Sequence, residues 1–69
     1  MAECRLANRL KEIRTERGLT QADLAALAGV SRKTINTIEN CVFVPSTILA
    51  LTLAEVLRLR VEEIFALKK

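Results

Sequence analysis

Apolar residues recur along this chain in short stripes at helical spacing, separated by residues that start or stop helices. Leu6, Leu10 and Ile13 follow one another at intervals of four and three, which puts them on one face of a first helix over roughly Cys4 to Arg17. Gly18 ends it, and Leu19 stands where a residue after a glycine cap often packs back on the helix. Thr20 with Asp23 reads as a capping box with Asp in place of Glu, so Gln21 opens a second helix whose core candidates are Leu24, Ala25, Leu27 and Ala28. Gly29 can close that helix in the left-handed conformation, and Ser31 can cap a third by accepting a backbone N–H bond. Ile35 and Ile38 give the third helix its apolar face, while Lys33, Asn36, Thr37 and Asn40 point the other way with Arg32 at the rim. The outer face is polar and basic, with donors suited to phosphates and base edges, and its acid, Glu39, turns toward the buried flank.

Further along, Cys41 to Val44 is apolar for a loop. Pro45 bars helix continuation and Ser46 is a good N-cap, which predicts a fourth helix from Thr47 to about Leu57. Leu49, Leu53 and Val56 suffice for a central core helix, whereas Ile48 and Leu51 exceed what a monomer needs. A short fifth helix is expected over Val61 to Leu67, with Glu62 and Glu63 at its positive end and Ile64 and Phe65 facing inward or toward a second subunit.

The run LKEIRTERGLTQADLAALAGVSRKTINTIEN, the Pro45-Ser46 pair and the terminal VEEIF together resemble the phage-repressor-like (Cro/C1, or Xre) helix-turn-helix regulators, over about Asn8 to Leu67. The resemblance implies an all-α fold, a compact five-helix lambda-repressor-like domain spanning residues 1–69, with the helix-turn-helix at about 21–40 and dimerisation within 42–67. It implies a sequence-specific regulator that binds double-stranded DNA, most simply a dimeric repressor on a palindromic operator. Arg32 and Lys33 become the expected base readers, because the N-terminal end of a recognition helix enters deepest into the major groove, with Thr37 as a secondary reader. Thr34 and Asn36 are expected to touch phosphates or the thymine methyl, and Asn40 to touch phosphates or position the helix. Gln21 is either a plain helix residue or, by resemblance, a phosphate contact where the helix macrodipole favours anions. Arg14 is expected to pair with Glu39 in a partly buried salt bridge near the DNA backbone. Phe43, at a position often aromatic among such proteins, is expected in the core, and Val42, Val44, Ile48, Leu51 and Phe65 at a dimer seam. Two departures stand out: Cys41-Val42 replaces a common Gly-Lys pair, and Arg58 and Arg60 replace a closing glycine and a capping serine.

Composition narrows the alternatives. Sixty-nine residues make one domain, whose core alone supplies about 3 to 5 kcal/mol, so a second subunit would help. At 51% hydrophobic the chain is too apolar for disorder, yet no run reaches the ~20 apolar residues of a membrane span, and the early acid and arginines do not form a signal peptide. A cytoplasmic location without membrane contact is expected. A net charge of +3 is too small to argue for nucleic acid by itself. With no histidine, no phosphate loop and no paired carboxylates, neither catalysis nor a metal or other cofactor is expected. Cys4 and Cys41 lack metal spacing and are expected to be free thiols. The rival reading is an antitoxin-like module that holds a protein partner through the apolar loop and fourth helix, with DNA binding secondary.

Overall fold

Polar side chains start four of the five helices and one recurring backbone turn ends the same four, and these local signals place those elements. The computed structural model describes residues 6–68. In chain order they form β1 (Leu6–Asn8), α1 (Leu10–Glu16), α2 (Gln21–Ala28), α3 (Arg32–Glu39), α4 (Thr47–Leu57), α5 (Val61–Ile64) and β2 (Phe65–Leu67). The Thr20–Asp23 capping box is present in both directions, with the Asp23 N–H donating to Thr20 Oγ1 at 3.0 Å and the Thr20 N–H donating to Asp23 Oδ2 at 2.9 Å. Hydrogen bonding from Thr20, its backbone N–H foremost, holds the Asp23 carboxyl below the usual carboxylate range. Ser31 and Ser46 accept from the Thr34 and Leu49 N–H groups at 3.2 and 3.1 Å, capping α3 and α4 as their sequence positions suggest.

α1 to α4 share one closure. The N–H groups of Leu19, Val30, Val42 and Leu59 each donate to the carbonyl five residues back, at 2.9–3.0 Å. The residue before each donor is left-handed: Gly18, Gly29, Cys41 and Arg58, with φ of 69°, 75°, 62° and 57°. Cys41 and Arg58 therefore end their helices as glycine would, although a side chain there costs about 1 to 2 kcal/mol. Leu19, Val30 and Leu59 then fold back on the core, which offsets part of that cost. Val42 instead stays 76% exposed.

The expected first and fifth helices are each shortened by a strand. Leu6–Asn8 and Phe65–Leu67 pair antiparallel in the register Leu6↔Leu67, Ala7↔Ala66 and Asn8↔Phe65, and the Arg9 N–H continues the ladder to Ile64 O at 2.9 Å. The reason lies in Asn8. Its Oδ1 accepts from the Leu10 N–H at 3.2 Å and its Nδ2 donates to Ile38 O at 3.1 Å, so the helix starts at Leu10 and the preceding backbone is free to pair. At the other end Phe65 is extended, which turns its ring into the core. The all-α expectation thus holds for five helices, with a two-stranded sheet added; Cys4, the expected start of the first helix, lies outside the described residues.

Each helix contributes to one core: Leu10 and Ile13, Leu24 and Ala25, Ile35 and Ile38, Leu53 and Leu57, and Ile64. Burial of each large side chain contributes about 1.5 to 3 kcal/mol. Leu49 and Val56 are half-buried against this core, and the Arg17 guanidinium donates to the Leu57 carbonyl, joining the ends of α1 and α4. Leu27 and Phe43, expected inside, are exposed, because α2 and the loop after α3 turn these positions away from the neighbouring helices. Cys41 is disulfide-bonded rather than a free thiol. Spacing along the chain could not reveal this, since only the fold brings β1 beside the end of α3, with Cys41 Sγ 3.4 Å from Leu6 O. No helix among the described residues is long and apolar enough to cross a membrane.

Replacing Arg58 by glycine keeps the closure and removes the Cβ clash, an effect larger than the added freedom of the unfolded chain. Arg58→Gly is expected to stabilise the protein by about 0.5 to 1 kcal/mol, read as a raised Tm; a lowered Tm would contradict this account of α4.

Candidate nucleic-acid interface

The two helices of the central hairpin are joined by Gly29, Val30 and Ser31. The left-handed Gly29 turns the chain, the Ser31 cap starts α3, and the buried Ala25 lets α2 and α3 cross closely. Ile35 and Ile38 anchor α3 in the core at 0% and 1% exposure, leaving Arg32, Lys33, Asn36 and Asn40 exposed to solvent.

What holds this ridge is a carboxylate. The Glu39 side chain is 2% exposed and accepts a two-pronged pair from Arg14 of α1, Nε to Oε2 at 2.7 Å and Nη2 to Oε1 at 3.2 Å. Arg14 Nη1 donates to Leu19 O at 2.8 Å, and Gln21 Nε2 donates to Glu39 Oε1 at 3.1 Å. Hydrogen bonding to Glu39 raises the Arg14 pKa further above its already high value, so the guanidinium stays charged. One acid therefore connects α1, α2 and α3, and its charge is met before it can repel a polyanion at the ridge.

Arg32 and Lys33 flank the ridge on opposite sides. Arg32 borders a crevice of about 560 Å³ with Arg14, Gly18, Thr20 and Gln21 at the start of α2. Lys33 borders a cleft of about 310 Å³ with Ser31, Thr34, Thr37, Val42 and Phe43. Thr37 is half-buried and its hydroxyl donates to Thr34 O at 2.9 Å. Thr34 and Ser31 hydroxyls lie 3.0 Å apart, and Asn40 Nδ2 donates back to Asn36 O at 3.0 Å. The residues expected to meet DNA are thus brought to one side of the molecule, although several already have partners within it: the Gln21 amide holds Glu39, and Arg14 is engaged with Glu39 and Leu19.

The residues expected at a dimer seam separate. Val44, Leu51 and Phe65 line one groove of about 280 Å³ with Leu6, Pro45 and Val61. Ile48 lies one turn before Leu51 on α4 and is 78% exposed. Phe65 is 7% exposed and belongs chiefly to the core, whereas Val42 lines the Lys33 cleft, away from that groove. Sequence reasoning missed Asn8, whose side chain ties the start of α1 to the end of α3; an asparagine inside the expected first helix, a residue type whose side chain competes for backbone N–H groups, was the available signal.

The helix-turn-helix family model matches residues 10–64, from Leu10 of α1 to Ile64 of α5. The chain belongs to the Cro/C1-type helix-turn-helix family. It is 34% identical over 64 residues to the HTH-type transcriptional regulator YgzD of Bacillus subtilis, covering 93% of this chain and 97% of that one. A regulator of the same type from Methanocaldococcus jannaschii is 43% identical over 60 residues, covering 87% and 91%. Among solved structures, the restriction-modification controller protein C.AhdI from Aeromonas hydrophila superposes with a TM-score of 0.76 at 36% identity, over 80% of this chain and 83% of that one. In this Cro/C1-type protein α2 and α3 are the two helices of the helix-turn-helix.

Removing the Glu39 charge leaves Arg14 without its partner in a largely desolvated place. Glu39→Gln is expected to destabilise the domain by about 3 kcal/mol, and the double variant Arg14→Met with Glu39→Met to recover most of that loss, as denaturant midpoints would show. A double variant as unstable as the single one would show that the helices are not tied through this charge pair.

Proposed function

We propose that this Cro/C1-type protein is a sequence-specific DNA-binding transcription regulator acting as a two-fold dimer on a palindromic site, and that it represses by occupying that site. The observation that carries the reading is the exposed ridge of Arg32, Lys33, Asn36 and Asn40 on a helix anchored at Ile35, Ile38 and Glu39. A rigid helix of this kind fits a major groove, where phosphate contacts position it and side chains at its N-terminal end meet base edges. Arg32 and Lys33 supply the base contacts, while Thr34, Asn40 and the start of α2 at Gln21 lie toward the phosphates, with Arg14 behind them. Two such helices would enter successive grooves about 34 Å apart.

A second copy is supported by the apolar surface that the subunit leaves open. Val44, Ile48 and Leu51 are 61%, 78% and 55% exposed, more than a small domain gains by displaying, and they lie on the loop and α4 rather than on the α3 ridge. Dimerisation through Val44, Ile48 and Leu51 would bury them and leave both recognition helices open, with Phe65 beneath the seam and Val42 outside it. A cytoplasmic regulator working by concentration and dimerisation is the simplest form of this reading.

Selection from random duplexes is expected to return a motif with two-fold symmetry, and Arg32→Ala with Lys33→Ala to flatten it at the positions they read while the fold is kept. Each lost contact is worth about 1 to 3 kcal/mol of discrimination, and an unflattened motif would place base reading elsewhere. Binding should weaken steeply with salt, since each neutralised phosphate contributes a log–log slope of about −0.9. Leu51→Glu is expected to convert a sedimenting dimer to monomer; an unchanged sedimentation coefficient would remove Leu51 from the seam.

A further inference from the structure

Three uncharged polar side chains on α3, Thr34, Asn36 and Thr37, and a fourth at its C-cap, Asn40, are divided by their hydrogen bonds. The hydroxyls of Thr34 and Ser31 are within hydrogen-bond reach of each other at 3.0 Å, the Thr37 hydroxyl donates to Thr34 O at 2.9 Å, and the Asn40 amide donates to Asn36 O at 3.0 Å. The Asn36 side chain makes no hydrogen bond to any described residue, and it is exposed. Its amide keeps both an acceptor and a donor edge available. Residues three and four apart on a helix are surface neighbours, so Asn36 borders Lys33, Arg32 and Asn40 together. Thr37, by contrast, is half-buried, and its backbone carbonyl receives the Val42 and Phe43 N–H groups at 2.9 and 3.2 Å, which draws the following loop against that flank of the helix.

We infer that Asn36, rather than Thr37, completes the base-reading set with Arg32 and Lys33, and that it recognises adenine. An asparagine amide matches adenine in the major groove with its carbonyl accepting from N6 and its NH2 donating to N7. A threonine hydroxyl already donating to its own helix offers no such pair and carries little information about the base. The inference rests on α3 being the DNA-reading helix. It turns Asn36 from the phosphate or thymine-methyl contact that the sequence suggests into a hydrogen-bonded reader of adenine.

The test starts from the motif the wild-type chain selects from random duplexes. Asn36→Ala puts a strong helix former at an exposed position and keeps the fold, read as an unchanged circular dichroism spectrum. It should lose the preference for A·T at one position per half-site by about 5- to 150-fold while the other positions stay as they were. Thr37→Ala should leave that preference in place. Substituting 7-deazaadenine at that position removes the N7 acceptor, and it should weaken binding of the wild type but not of Asn36→Ala. A motif unchanged by Asn36→Ala overturns the inference alone, and so does a uniform weakening over all sequences with a shallower salt dependence, which would mark a phosphate contact. A wild-type chain that selects no motif overturns the regulator reading and this inference with it.

Discussion

The Glu39 carboxylate is the point on which the geometry of this small domain depends. A carboxylate shielded from water is unfavourable unless its oxygens are occupied, and here Arg14 takes both while Gln21 takes a second bond on one of them. Because Arg14 comes from α1, Gln21 from the first residue of α2 and Glu39 from the last residue of α3, satisfying the charge fixes three helices at once. The net stability of such a network is small, since desolvation opposes the Coulomb gain. Its consequence is positional: α3 is held at both ends, by the Ser31 cap and by Glu39, with its polar face outward.

The helix ends show how a short chain reaches a defined shape with few glycines. The same backbone closure ends α1, α2, α3 and α4, with glycine at the left-handed position in two cases and Cys41 or Arg58 in the others. Where the next residue packs back on the core, as Leu19, Val30 and Leu59 do, burial offsets the strain. After α3 it does not. Val42 and Phe43 remain in the open beside Lys33, and the disulfide at Cys41 constrains that turn instead.

The apolar surplus noticed in the sequence also divides in space. Val44, Ile48 and Leu51 lie on the loop and α4, while Val42 and Phe43 belong to the flank of α3. Two valines of one loop, Val42 and Val44, thus serve different surfaces: Val42 sits in the turn that closes α3, its N–H bonded to the Thr37 carbonyl, whereas Val44 lies beyond that turn on the approach to α4.

The residues themselves determined the signals that act over a few positions: the capping box of Thr20 and Asp23, the caps at Ser31 and Ser46, the turn at Gly29, and the inward faces set by Ile35, Ile38 and Leu53. These depend on backbone hydrogen bonds and side-chain periods within a single element, so the string of residues contains them, and it also carried the family resemblance and the Arg14–Glu39 pairing. Only the assembled fold decided that Leu6–Asn8 and Phe65–Leu67 are strands, that Cys41 is oxidised, that Phe43 and Leu27 face out, and which amides and hydroxyls on α3 already have partners. Those outcomes turn on contacts between residues tens of positions apart, such as Asn8 with Ile38 and Leu6 with Leu67, and helical spacing reports nothing about distances of that kind.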